Sequence, residues 1–200
     1  MVIKWARELE VINYWLKVEK NLMNATKKNV WLFPLKKISA YFVSKCIGDF
    51  MNFVGIINSF SGDHYFLSNF HPSYVEYEGL IYPTVEHAFQ AAKTLDMEKR
   101  KEFTKMATPD IAKYWGHRLA LRSDWEEVKI GIMYHLCKDK FSRTPNKEKL
   151  LLTGNAMLIE GNNWHDNYWG SCCCATCGGN GENKLGRVLM QIRSEMKGNM

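Results

Sequence analysis

Tyr82-Pro83-Thr84-Val85-Glu86-His87-Ala88-Phe89-Gln90-Ala91-Ala92-Lys93 reads as a helix that carries its own start signal. Pro83 breaks whatever precedes it, and the Thr84 hydroxyl is placed to cap the first free amides. Val85, Ala88, Phe89 and Ala92 follow at i, i+3, i+4 and i+7, an apolar stripe for packing. Beside it Glu86, Gln90 and Lys93 fall at i, i+4 and i+7, so a carboxylate, an amide and an ammonium share one row. On an arbitrary helix such a row is a solvated face; over a cleft it is a reactive one. His87 lies elsewhere on the wheel and reads as a packed or surface histidine. Glu86 sits in the first turn, where the helix dipole favours its ionised form, which fits a base, nucleophile or cation stabiliser. Only burial would raise its pKa enough for a general acid.

Upstream, Tyr74–Tyr82 alternates on both sides of Glu78-Gly79 and predicts a short β-hairpin. Downstream the pattern is helical. Thr108-Pro109 starts a helix ending near Gly116, and Ser123-Asp124-Trp125-Glu126 reads as a capping box. Trp125, Val128, Ile132 and Leu136 then mark the buried face of a helix running toward Phe141. Pro145 opens a shorter helix through Leu152, ended by Thr153-Gly154, and Asn183 leads into a last helix with Leu185, Val188, Leu189 and Ile192 inward. The fold class is mainly α with a small β-hairpin.

Two hundred residues exceed the need of one compact domain, and the charge is uneven. Residues 1–50 hold nine Lys/Arg against four Asp/Glu, +5 of the chain's +6. Val2, Trp5, Leu9, Ile12 and Leu22 recur there at helical spacing, Trp31-Leu32-Phe33-Pro34 breaks the pattern, and Lys36–Phe50 offers a second, weaker one. Residues 1–50 are read as a basic amphipathic N-terminal extension and 51–200 as the functional domain, whose strand-like start is Phe53-Val54-Gly55-Ile56-Ile57. A basic arm can meet nucleic acid, and an ordinary solvated Lys-rich helix looks the same. No apolar run approaches a membrane span and no signal-peptide layout is visible, so the chain is placed in the cytoplasm, away from membranes.

Asn162-Asn163-Trp164-His165-Asp166-Asn167-Tyr168-Trp169-Gly170 has neither helical nor strand periodicity but is dense in rings and hydrogen-bonding groups. Aromatic faces stack on a base and Asp or Asn holds ribose hydroxyls, so nucleotide recognition suits it; a loop packed by its own rings is the plain alternative. Cys172, Cys174 and Cys177 have the CxC and CxxC spacing that brings thiolates to one metal. A structural zinc with His165 as a further ligand and a set of free thiols are both open. Gly178, Gly179 and Gly181 before the last helix fit a weak anion-binding loop.

Five motifs in order, Phe66-Leu67-Ser68-Asn69-Phe70, Tyr82–Lys93, Ser123–Lys129, Asp166–Gly170 and Gly181–Met190, together with Leu151-Leu152-Thr153-Gly154, resemble the NADAR/YbiA-like family over about residues 56–193. The resemblance implies an orthogonal multi-helix fold and cleavage of N-glycosidic bonds between a ribose and a base or ring amine. Ribosylamino-pyrimidine intermediates of riboflavin synthesis and ADP-ribosylated guanine are the substrates it brings to mind. It places Glu86 as the acidic residue of the Thr-x-Glu-His motif, Trp125 as the capping-box Trp, and Asp166 and Trp169 in the loop motif. Val85 stands where the family has Ser, a change on the apolar stripe. The Cys-rich insert resembles viral and phage-like members, which keeps ADP-ribosylated nucleic acid open as a partner.

Ribosyl C–N cleavage builds positive charge on the sugar, which pairs Glu86 with Asp166 as carboxylates. Trp125 or Trp169 stacks on the leaving base, Asn69, Gln90 or Lys93 hydrogen-bonds it, and Asn183 with Arg187 at the last helix start holds a phosphate. This chemistry requires no cofactor. The rival readings are a non-catalytic NAD/ADP-ribose-binding module and a Cys-cluster nucleic-acid-binding protein.

Overall fold

A computed structural model describes residues 55–198; the expected N-terminal helical patterns, the boundary near Met51 and Phe53-Val54 lie outside the described residues. The described chain has six α-helices: α1 (Val85–Ala91), α2 (Met97–Phe103), α3 (Pro109–Gly116), α4 (Trp125–Ser142), α5 (Asn146–Leu152) and α6 (Lys184–Gly198). A 3-10 helix spans Gly62–Leu67. The strands are short: β1 (Ile56–Ile57), β2 (Val75–Tyr77), β3 (Leu80–Tyr82), β4 (Met157–Leu158), β5 (Gly161–Asn162) and β6 (Ser171–Cys172).

The expected hairpin is β2–β3, antiparallel with Val75 opposite Tyr82. Its turn puts Glu78 at φ 46° and Gly79 at φ 77°. Two central residues in the left-handed region give the twist that a two-residue hairpin needs. The other pairs, β1 with β4 and β5 with β6, are parallel and two residues long. No period is readable in two residues, so only β1 had a sequence signal, in its apolar run.

Helix starts follow their caps. The Thr84 hydroxyl accepts from the His87 amide at 3.3 Å, and Thr108 does the same for Ile111. Helix α2 was not anticipated, although Asp96 caps it through the Glu98 and Lys99 amides. The capping box at the start of α4 does not form. The helix starts one residue later than the box requires, with Asp124 in place of Ser123 as N-cap, and the Asp124 carboxylate takes two N–H groups from Arg122, at 2.6 and 2.9 Å, in place of a backbone amide. Its first residue is Trp125.

The core is built from the predicted stripes. Leu185, Val188, Leu189 and Ile192 of α6 pack on α4, which buries Ile132, Met133, Leu136 and Phe141. Helix α1 packs against both α3 and α4 and is buried on every side, Glu86 and Gln90 of the polar row included; it ends at Ala91, so Lys93 follows it, half-buried. The solvated-face reading of Glu86 and Gln90 is thereby excluded: they are 6% and 4% exposed. Among the described residues, no helix is long and apolar enough to cross a membrane.

Candidate functional site

One end of α1 faces a cavity of about 1090 Å³, at the large end of what small-molecule sites enclose. Glu86, Phe89 and Gln90 line it from α1, Lys93 from the turn just after α1, Lys113 from α3, and Trp125, Lys129 and Met133 from α4. Asn69 and the loop from Ile159 to Trp169 complete the wall.

Glu86 is held from two sides. Its backbone amide donates to the Asn69 carbonyl at 3.1 Å, and Gln90 Nε2 donates to its Oε1 at 2.7 Å. Burial raises the Glu86 pKa, against the opposing pull of the Gln90 hydrogen bond and the Lys113 and Lys93 charges. This corrects the expectation drawn from its first-turn position: desolvation outweighs the helix terminus. The Gln90 Oε1 is buried without a partner, and Gln90 lies against Gly116 so closely that a Cβ there would come within 2.0 Å of it. The tight α1–α3 crossing therefore fixes the amide that fixes the carboxylate.

The segment bearing Asn69 is anchored from below by Lys140, whose Nζ donates to the Ser68 carbonyl at 2.7 Å. Burial lowers this lysine to about 8. Asn69 is itself buried; its Nδ2 meets Met133 Sδ at 3.5 Å, a weak contact that a better acceptor displaces readily. Phe89 stacks edge-on to Trp169, centroids 5.2 Å apart, and packs on Trp125 at 5.1 Å. Lys93 Nζ stands 6.0 Å from the Trp125 ring, and burial lowers its pKa.

The aromatic loop is ordered by side chains in place of ladder bonds. Asn162 Oδ1 accepts from the Trp164 and Asp166 amides, and its Nδ2 donates to the Asp166 carbonyl at 2.7 Å. Asp166 Oδ1 in turn accepts from the Tyr168 and Trp169 amides, at 3.1 and 2.9 Å. One carboxylate oxygen of Asp166 thus shapes the turn that presents Trp169.

Glu160 was missed in the sequence. It lines the same cavity, and burial together with the Asp166 and Glu86 charges pushes its carboxyl up to about 7. Its signal was an acid placed directly after the apolar run Ala156-Met157-Leu158-Ile159. Lys113 and Lys129 were also missed as cavity residues; Lys129 Nζ lies 4.1 Å over the Tyr168 ring.

Asn183 and Arg187 do not line the cavity. Asn183 accepts from the Glu160 amide at 3.0 Å and donates to the Leu158 carbonyl at 2.8 Å, while Arg187 is exposed. The amides that open α6 are also taken: Asn183, Lys184 and Leu185 donate to the carbonyls of Gly170, Tyr168 and Trp169. The backbone amides of Asn183, Lys184 and Leu185 and the Asn183 side chain are thus committed within the protein, which weakens the phosphate reading of this helix start and of the glycine-rich loop before it. The helix start instead locks the aromatic loop in place. At the edge of the cavity, which His165 lines, His165, Cys172, Cys174 and Cys177 present ligand atoms all within 4.8 Å of one another, and this group could hold a metal ion.

The NADAR domain model matches residues 57–197. This chain belongs to the NADAR domain family. Within that family it is 37% identical over 148 residues to the N-glycosidase YbiA of Shigella flexneri serotype 5b, covering 70% of this chain and 88% of that protein. A riboflavin biosynthesis protein of Vibrio vulnificus is 31% identical over 140 residues, 68% of this chain and 36% of its own length. The solution structure of Escherichia coli YbiA superposes with a TM-score of 0.63 at 32% identity, covering 74% of this chain and 87% of that one. The mainly α NADAR fold with its small sheet is therefore common to both.

Proposed function

We propose that this protein is an N-glycosidase, a hydrolase that cleaves the C–N bond between a ribose carrying phosphate or ADP and a base or ring amine. The observation that carries the reading is the convergence of three carboxyl groups, Glu86, Asp166 and Glu160, on one cavity walled by Trp125, Phe89 and Trp169. The names of its relatives point the same way.

Such a reaction needs a carboxylate for the cationic sugar, a base for water and a proton for the leaving base. We assign Glu160 as the acid: burial first, then the Asp166 and Glu86 charges, push its carboxyl up to about 7, so it still carries a proton close to neutral pH. Glu86 is the base: burial makes it a stronger one than an exposed glutamate, and Gln90 keeps its oxygen aimed. Asp166 faces the developing sugar cation with the oxygen not engaged by the loop amides. Trp125 and Trp169 stack on the base, with Asn69 hydrogen-bonding its edge. Lys93, Lys113 and Lys129 replace Asn183 and Arg187 as the phosphate-holding groups, and their charge favours an anionic riboside. No step is assigned to a cofactor, and we place the reaction in the cytoplasm, where thiols such as Cys173 stay reduced.

Incubation with ribosylamino-pyrimidine phosphate, NAD and ADP-ribosylated guanine oligonucleotides, read by mass spectrometry for freed base, chooses the substrate. Glu86→Ala is expected to stop release while the fold survives. Binding of these compounds without turnover by the wild-type chain would establish the non-catalytic module instead.

A further inference from the structure

We propose that His165, Cys172, Cys174 and Cys177 bind one structural zinc ion that staples the loop carrying Asp166 and Trp169. The metal assignment stands apart from the glycosidase reading, because it rests on other atoms.

The distances fit the ion. His165 Nδ1 lies 3.3 Å from Cys177 Sγ, 3.5 Å from Cys174 Sγ and 3.9 Å from Cys172 Sγ. In a tetrahedral site with Zn–S near 2.3 Å and Zn–N near 2.0 Å, neighbouring ligand atoms stand roughly 3.5–3.8 Å apart. Three sulfurs and one imidazole nitrogen make a closed shell that zinc favours, and none of the three cysteines is joined in a disulfide.

The surroundings are those of a thiolate site. Cys177 N donates to Cys174 Sγ at 3.4 Å and Asn167 Nδ2 to Cys177 Sγ at 3.1 Å, so two sulfurs already accept N–H bonds. Partners of this kind orient metal ligands. Gly178 and Gly179 follow at φ 63° and 76°, and their amides return to the Cys174 and Cys172 carbonyls, both at 2.9 Å. This turn folds the CxxC back on Cys172. His165 itself holds φ 67°, in the left-handed region that few non-glycine residues occupy, and its Nδ1 faces three sulfurs.

The consequence for the fold is local. His165 precedes Asp166, and Cys172 lies on β6, paired with Asn162 of β5. One ion therefore joins the outgoing and returning arms of the loop on which Asp166 and Trp169 stand.

Metal analysis of the full chain, purified with reductant, is expected to find one zinc per chain. After its removal, cobalt should bind with the visible spectrum of a tetrahedral thiolate site and be displaced by zinc. Cys174→Ser and Cys177→Ser should each weaken zinc by about 100-fold or more. Cys173→Ser should bind as the wild type does, since the Cys173 thiol lies outside the cluster, 3.2 Å from the Asn162 carbonyl. If the serine variants fail to fold, alkylation of the wild type decides: zinc should shield Cys174 and Cys177 but not Cys173. The proposal is overturned by a reduced chain that takes up neither metal, by octahedral cobalt, by unchanged affinity in both serine variants, or by equal alkylation with and without zinc.

Discussion

Glu86 and Glu160 share a cavity and burial is the largest cause raising both, so what distinguishes them is their charged and hydrogen-bonding neighbours. Glu86 is opposed by Gln90, Lys113 and Lys93, whereas the neighbours that raise Glu160 are the carboxylates of Asp166 and Glu86. A base must be ionised and an acid protonated, so with these roles the acid limb of the pH–rate profile should follow Glu86 and the alkaline limb should fall as Glu160 loses its proton near 7. Glu160→Gln should lower kcat by about 10²- to 10⁴-fold and remove the alkaline limb of the pH–rate profile. The same change has a stability signature. The folded Glu160 keeps its proton up to about 7 whereas the unfolded one releases it near 4.5, so the native state loses stability as pH rises through that window. Glutamine carries no such penalty, and thermal unfolding should show the Gln variant gaining on the wild type from pH 5 to pH 7 and no further above. Gln90→Ala removes the hydrogen bond that lowers Glu86, so the acid limb should move to higher pH. An unmoved limb would take Glu86 out of the role of base.

At the level of elements, the α1–α3 crossing is the joint on which that carboxylate depends. Gly116 lets α3 approach until Gln90 fills the place of a side chain. Gly116→Ala adds helix propensity, worth about 0.5–1 kcal/mol, but overpacks the crossing at about 1–3 kcal/mol. Denaturant unfolding should report a net loss, and the acid limb of the rate profile should move as it does for Gln90→Ala. The helix, its Thr84 cap and its apolar stripe were legible in the sequence because they depend on neighbours within four residues. That Glu86 and Gln90 of its polar row are buried was not legible, since the cover comes from α3 and from Ile159–Trp169, far along the chain. The start of α4 was read to within a residue but its capping box was not, because Asp124, held by Arg122, takes the N-cap position that the box assigns to Ser123. The phosphate role given to Asn183 is weakened for a similar reason: the carbonyls of Tyr168, Trp169 and Gly170 reach the amides at the start of α6 first. Local signals predict elements well and their hydrogen-bond partners poorly, since partners are chosen by whatever tertiary structure brings nearest.

Across the whole molecule, the question is where the working unit begins. Among the described residues the core runs from Phe60 to Ile192, and the family match from 57 to 197. The earliest element is β1, and it does structural work. Met157 N donates to the Gly55 carbonyl and Ile159 N to that of Ile57, both at 2.8 Å, so β1 holds β4, the strand that leads directly to Glu160. A chain starting at Met51 keeps these bonds and sheds five of the six net positive charges, while one starting at Ser59 loses both acceptors. We expect the 51–200 chain, which spans the whole family match, to keep turnover within about twofold of the full chain. The 59–200 chain should lose most of it, with the alkaline limb shifted as Glu160 is released from its setting. Affinity for an ADP-ribosylated oligonucleotide gives the complementary reading. If the basic arm adds phosphate contacts, the full chain should lose affinity more steeply with salt than the 51–200 chain. Equal salt slopes would confine substrate recognition to the cavity and its three lysines.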